Sequence, residues 1–226
     1  MRLNPVLDEL LSTKVVPSGD GTVPLRANIN RVEGELIYNA VLDVKPKFSV
    51  EVGCAYGISA LFATQAMSEL GSEFHHIIVD PKQKTIFDDL GIRNLERAGY
   101  AESCRFIKEG SEFALPKLCE QGTRIQFAII DGWHTFDHVL IDFFYINRML
   151  DVGGVLVFDD ANWPAIRRLL DFILTYPAYE SYSSTPSKRG LRSRLKRLDF
   201  SPAWPSMLAI RKRAEDERPY NWHAPF

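Results

Sequence analysis

Phe48-Ser49-Val50-Glu51-Val52-Gly53-Cys54-Ala55-Tyr56-Gly57-Ile58-Ser59 is the stretch whose reading decides the fold of this chain. Apolar and β-branched residues around a single acid make its first half a buried strand. Gly53 turns the chain, and Gly57 lets the backbone at the start of the next helix come close to a ligand. Strand, glycine turn and helix in this order are how a doubly wound α/β protein builds a pocket beyond the carboxyl end of its first strand. Glu51, two positions before the first glycine, is placed to accept hydrogen bonds there.

The glycine spacing excludes two kinds of phosphate binder. A dinucleotide fingerprint needs G-x-G-x-x-G, and Ala55 and Ile58 stand where its second and third glycines belong. A P-loop needs G-x-x-x-x-G-K-[ST], which is absent. What remains, E-x-G-x-x-x-G, resembles motif I of the class I S-adenosylmethionine-dependent methyltransferases. Their cofactor carries a sulfonium and an ammonium, so a carboxylate at the turn suits it and would repel a pyrophosphate.

Outward from this turn, strands and helices alternate. Strands are expected at 48–54, 74–79, 104–108, 125–130 and 155–158, with helices at 59–70, 85–98, 111–120, 136–150 and 164–174. Near-continuous apolar strands separated by helices imply a parallel sheet covered on both faces. Two further strands are expected at 179–184 and 206–211, with a long polar segment between them. The family resemblance implies a Rossmann-like sheet in the order 3-2-1-4-5-7-6 with a reversed last hairpin. The chain divides into a partly helical lead-in and substrate cap over 1–47, with a helix at 31–43, a methyltransferase domain over 48–213 and an aromatic tail over 214–226.

The strand ends are acidic: Glu51, Asp80, Glu109, Asp131, Asp159 and Asp160. Asp80, before Pro81, is where an acid accepts ribose hydroxyls, or simply forms a turn. Gly110 and Ser111 open the helix after the third strand. Ser111 either caps that helix or meets the adenine, and Ser59 either caps its own helix or touches the cofactor's amino-acid end. The resemblance therefore implies a cofactor frame of Glu51, Gly53, Ala55, Gly57, Ser59, Asp80, Gly110, Ser111 and Asp131.

Asp131, Asp159 and Asp160 end neighbouring strands and so come together. Three clustered anions repel unless protonated, hydrogen-bonded or joined by a cation, and an all-oxygen set suits Mg²⁺, with Ca²⁺ or Mn²⁺ as alternatives. Turn formation by Asp159 and helix capping by Asp160 explain the same residues without an ion. Asp131-Gly132-Trp133-His134-Thr135-Phe136, followed by Gly153-Gly154-Val155-Leu156-Val157-Phe158-Asp159-Asp160, resembles small-molecule O-methyltransferases of the sugar and natural-product type. That resemblance runs from about Arg31 to Asp171 and implies an ion held by the three aspartates. The ion would lower the pKa of an acceptor hydroxyl. His134, beside Asp131, is the candidate general base, and the two form the catalytic pair. Trp133 and Trp163 flank the acids as a candidate aromatic wall. His138 completes H-x-x-x-H, but Thr135 replaces the glutamate of the zinc protease motif. His75 and His76 open the second strand and read as structural.

Composition narrows the remaining choices. The 226 residues are 46% hydrophobic and 25% charged with a net charge of −2, so no global field recruits nucleic acid or membrane. Cys54, Cys104 and Cys119 read as free thiols of a reducing cytoplasm. No apolar run reads as a signal peptide or membrane span. The expected partner is a small-molecule hydroxyl acceptor, with a homo-oligomer left open. The absence of [DNS]-P-P-[YFW] after the fourth strand argues against an amino acceptor. The basic run Lys188, Arg189, Arg192, Arg194, Lys196, Arg197 keeps an RNA methyltransferase as the enzyme alternative. A non-catalytic cofactor-binding module is the other.

Overall fold

A computed structural model describes residues 1–26, 28–182 and 205–225. The lead-in folds as α1 (Pro5–Thr13), a hairpin of β1 (Val15–Ser18) and β2 (Gly21–Pro24), and α2 (Arg31–Val44). The Asn4 side chain accepts the Val6 N–H to start α1. Asn30 and Glu33 form a reciprocal capping box that starts α2. The turn cluster at 17–21 is the bend of this small antiparallel hairpin.

The α/β body follows with β3 (Phe48–Val52), α3 (Ile58–Glu69), β4 (His75–Val79), α4 (Leu90–Arg97), β5 (Cys104–Ile107), α5 (Ser111–Glu120), β6 (Ile125–Ile130), α6 (Phe136–Met149), β7 (Leu150–Phe158), α7 (Pro164–Ile173), β8 (Tyr179–Ser181) and β9 (Leu208–Lys212). The sheet order is β5-β4-β3-β6-β7-β9-β8. The strands β5, β4, β3, β6 and β7 are parallel, and β9 runs antiparallel to both β7 and β8. This is the expected order, with the reversed hairpin at one edge. The basic run at 188–197 lies outside the described residues.

Period-two alternation sends each strand's residues to opposite faces. Val50, Val52, Ala128 and Ile130 pack with α5, α6 and α7, through Leu115, Phe143 and Leu170. Phe127, Ile129, Val155 and Val157 pack with the other layer, which contains Phe62 of α3. Leu7, Leu10, Ile37 and Val41 of the lead-in belong to that same layer, so the first 47 residues share the core of the body. A Cβ at Gly34 would stand 2.0 Å from the Phe62 ring, which shows how closely α2 lies on α3.

Two elements differ from expectation. The helix expected over 85–98 begins only at Leu90, because 81–89 form a series of turns in which Asp88 and Asp89 take left-handed φ values of 50° and 55°. The fifth strand of the sheet starts at Leu150 instead of 155. Gly153 and Gly154 lie inside β7, where the pairing with β6 shifts register between Ile125 and Phe127.

Candidate active site

The carboxyl ends of β3, β4, β5, β6 and β7 meet around the glycine turn. Gly53 has φ +87°, and a Cβ there would fall 1.9 Å from the carbonyl oxygen of Asp131. Only glycine lets β3 and β6 deliver their ends this close together. Gly57, at φ +83°, faces the backbone of Gly91, whose oxygen would lie 3.1 Å from an added Cβ. Its permissiveness therefore serves the approach of chain to chain. Ala55 completes the turn with φ +45°, a conformation that costs a residue with a side chain.

Glu51 is 0% exposed. The Ser59 hydroxyl donates to its Oε1, and His76 Nε2 lies 2.9 Å from its Oε2. The other ring nitrogen of His76 lies 2.8 Å from Ser49 Oγ. A buried polar chain thus runs from β3 through β4 and back to the first turn of α3. Each oxygen of Glu51 has one partner inside the protein. His76 was read from sequence as merely structural, and its contact with the motif acid was not foreseen. Only the β3–β4 register, which pairs Ser49 with His76, brings them together.

Asp80 is the keystone of the turn. Its Oδ2 accepts the N–H groups of Cys54 and Ala55 at 3.1 Å each and the Gln83 amide at 2.8 Å. Among the described residues its Oδ1 accepts the Lys82 N–H alone, at 2.8 Å. A carboxylate oxygen has two lone pairs, so Oδ1 keeps capacity for one further donor. That spare acceptor site suits a ribose hydroxyl as donor.

At the start of α5, Gly110 occupies the N-cap position and no side chain caps the helix. Ser111 is the first helical residue, which corrects its reading as the cap. Beneath it lies Asp142 of α6, whose carboxyl is pushed up to about 6 by burial, with the Ser111 hydroxyl opposing. Asp142 was not foreseen, since its place inside α6 gives no local signal.

The second half of the site is built from the ends of β6 and β7. His134 Nε2 lies 3.5 Å from Asp131 Oδ1 and 3.4 Å from Asp160 Oδ2, an ion-pair distance to each. Interaction with Asp131 does most to raise the His134 pKa. Burial opposes it, and the charges of Asp131, Asp160 and Asp159 add to it. Burial raises the Asp131 carboxyl, with His134 pulling it down. Burial and then the Asp131 charge push Asp159 up to about 8. Asp160, held at φ +48°, is raised by burial against the pull of His134.

Glu33 adds a further charge to this group and raises both Asp159 and Asp160. It also accepts from the Ser206 hydroxyl, tying the lead-in to the segment before β9. The capping-box pattern Asn30-x-x-Glu33 signals its helix but not this role. Trp163 is 49% exposed with its ring 5.2 Å from that of His134, and Trp133 is 60% exposed nearby. His138 is taken up by Thr135, whose Oγ1 is 2.8 Å from its Nδ1.

Among the described residues no group of three or more His, Cys, Asp or Glu is arranged to hold a metal ion. The His134 ring, and not an open oxygen cage, lies between Asp131 and Asp160. Cys54, Cys104 and Cys119 are free, as expected. No helix among the described residues is long and apolar enough to cross a membrane.

Residues 50–161 match the model of a methyltransferase domain family. A rhamnosyl O-methyltransferase of Mycobacterium tuberculosis is 28% identical over 133 residues, covering 55% of this chain and 50% of that protein. The chain thus spans about half the length of the curated relatives it matches. An O-methyltransferase from Bacillus cereus in complex with S-adenosylhomocysteine superposes with a TM-score of 0.66 at 16% identity, covering 94% of this chain and 93% of that one. The O-methyltransferase TomG from Streptomyces achromogenes, in complex with S-adenosylmethionine, gives 0.66 at 12% identity, covering 94% and 92%.

Proposed function

Residues 50–161 belong to the class I S-adenosylmethionine-dependent methyltransferases, and from that membership we propose that the chain methylates a hydroxyl of a small molecule, a sugar hydroxyl above all. The observation that carries the reading is His134 set between Asp131 and Asp160, beside the exposed Trp163, on the loop that also abuts the glycine turn. S-Adenosylmethionine, when bound, supplies a methyl on a cationic sulfur. Asp80 would take the ribose through its free Oδ1 capacity, with Gly53, Ala55 and Gly57 shaping the turn and Gly110 and Ser111 bordering the base. Glu51 and Ser59 would act by holding the turn in place.

The chain's own residues then account for the proton. Neutral His134 takes it from the acceptor hydroxyl, and the imidazolium so formed is held by Asp131 and Asp160. Trp163 and Trp133 offer flat apolar faces to a sugar ring. The likeness to the mycobacterial rhamnosyl O-methyltransferases favours a rhamnosyl acceptor. A divalent ion on Asp131, Asp159 and Asp160 is the finer reading that the sequence suggested. Its support is the repulsion among three raised carboxylates. The geometry around His134 gives that ion no step here. The RNA acceptor rested on residues 188–197 and gains no support from the described ones.

The test is turnover of labelled S-adenosylmethionine with a panel of rhamnosides, other glycosides and phenols, with and without chelator. Methyl transfer to a glycoside, undiminished by chelator, is expected. No transfer to any hydroxyl, with intact binding of S-adenosylhomocysteine, would sink the acceptor reading. Loss of activity in chelator, restored by Mg²⁺, would return the ion to the mechanism.

A further inference from the structure

The strands' amino-terminal end carries a second feature, remote from the glycine turn. Lys45, Lys47, Phe48, Ile77, Arg105, Gly122, Thr123, Arg124 and Gln126 line a groove of about 680 Å³. That volume is within the range of small-molecule sites. Four of the lining residues are cations and none is an acid. Among the described residues Lys45, Lys47 and Arg105 make no ion pair, whereas Arg31, Arg97, Lys117 and Arg211 each do. Lys45, Lys47 and Arg105 therefore stand together without a counter-charge of their own among the described residues, and like charges so gathered repel one another unless an anion joins them.

The wall is also held in place. Arg124 donates through Nε to Asp151 at 2.8 Å and through a terminal nitrogen to the Arg148 carbonyl at 3.2 Å. Gln126 donates to the other oxygen of Asp151 at 2.6 Å. Its own oxygen accepts the N–H groups of Lys47 and Phe48 at 3.1 and 3.0 Å. Asp151 thus fixes Arg124 and Gln126, and Gln126 fixes the strand entry that carries Lys47. Such preorganisation reduces the entropy lost on binding. Phe48 is 41% exposed and stacks on His75 with ring centroids 5.0 Å apart, so one flat apolar face stands beside the cations.

We propose that this groove binds a small phosphate ester carrying a planar ring, at a site separate from methyl transfer. The phosphate meets Lys47 and Arg105, whose guanidinium fork matches its oxygens, with Arg124 held behind them by Asp151, and the ring lies against Phe48. The inference does not rest on the proposed methyl transfer.

Calorimetric titration of the full chain with inorganic pyrophosphate and with phenyl phosphate, in low and moderate salt, tests it. Saturable binding that weakens with added salt is expected. The double variant Lys47→Ala, Arg105→Ala should weaken both probes by at least about tenfold. Phe48→Ala should weaken phenyl phosphate more than pyrophosphate. Lys47 and Arg105 are exposed, so the double variant should keep the melting temperature of the parent chain, and saturating S-adenosylhomocysteine should not displace either probe. Absence of saturable binding up to about 10 mM of either probe would overturn the proposal. So would binding that the double variant leaves unchanged, or displacement by S-adenosylhomocysteine.

Discussion

The two halves of the candidate site are built on opposite principles. Around the glycine turn, the polar groups of Glu51 and Asp80 are matched by protein donors: Glu51 by Ser59 and His76, and Asp80 by two turn N–H groups, Lys82 and Gln83. Around His134, carboxylates crowd one another, and Asp131, Asp159 and Asp160 are all raised above the ordinary range. The first half is a satisfied scaffold. The second holds electrostatic tension that a substrate proton can discharge. Acids at strand ends look alike in a sequence, but their partners divide them into those that hold the fold and those available for chemistry.

Replacing an acid on the satisfied side gives the largest effect. Glu51→Ala removes one partner of a fully buried pair and leaves His76 and Ser59 facing an apolar gap. A stability loss of about 3–5 kcal/mol is expected, read as a lower urea midpoint with an unchanged slope. Where the variant still folds, its affinity for S-adenosylhomocysteine should change little. An affinity collapse in a variant of near-normal stability would show that Glu51 meets the ligand directly, and the contrast between the halves would break.

His134→Ala strikes the other half and should have the opposite signature. The ring is a partly exposed neighbour of Trp163, so the fold should lose no more than about 0.5 kcal/mol. The turnover number should fall by about 10²–10⁴-fold while cofactor affinity holds. A variant that retains full turnover would leave the tension around Asp131 and Asp160 without a catalytic purpose. Rescue by added imidazole would sharpen the assignment to proton transfer.

The contrast also explains what the sequence could and could not reveal. The span of β6 was legible to the residue, because Ile125–Ile130 is an uninterrupted apolar run closed by Asp131-Gly132. The approach of Asp131 to the Asp159-Asp160 pair was legible, since it needs only neighbouring strands, but the His134 ring between Asp131 and Asp160 was not, because the conformation of the loop after β6 has no local signature. The sheet order came from family resemblance, because periodicity carries no information about which strands are neighbours. The inner partners of Glu51 were not legible, because they lie on other elements, Ser59 on α3 and His76 on β4. The start of α4 was misplaced because nothing local distinguishes Thr85-Ile86-Phe87 from a first helical turn. Those residues are held as turns by bonds such as Asp89 N–H to the Gln83 carbonyl at 2.8 Å, and by the edge contact of Phe87 with Tyr56. The lead-in hairpin showed only its turn residues, since four-residue strands are too short for alternation to register.

Asp160→Asn has the smallest expected effect and the most specific sign. His134 must be neutral to accept a proton, so kcat/KM should rise with pH as the imidazolium of the free enzyme deprotonates. Asp131, Asp160 and Asp159 raise that pKa, which places the acid limb of the profile above the ordinary histidine value of about 6.5. Asparagine keeps the size of Asp160 and removes one of these charges, so the limb should move to lower pH while Asp131 still holds part of the shift. The same change separates catalysis from stability. A histidine with a raised folded-state pKa contributes stability below its unfolded value, and that contribution is lost as pH rises through the folded one. Asp160→Asn should therefore reduce stability chiefly on the acid side of neutrality and little above it. A limb that stays in place, or moves to higher pH, would mean that Asp160 does not act on His134 through charge. The pair would then belong with the satisfied scaffold and not with the chemistry.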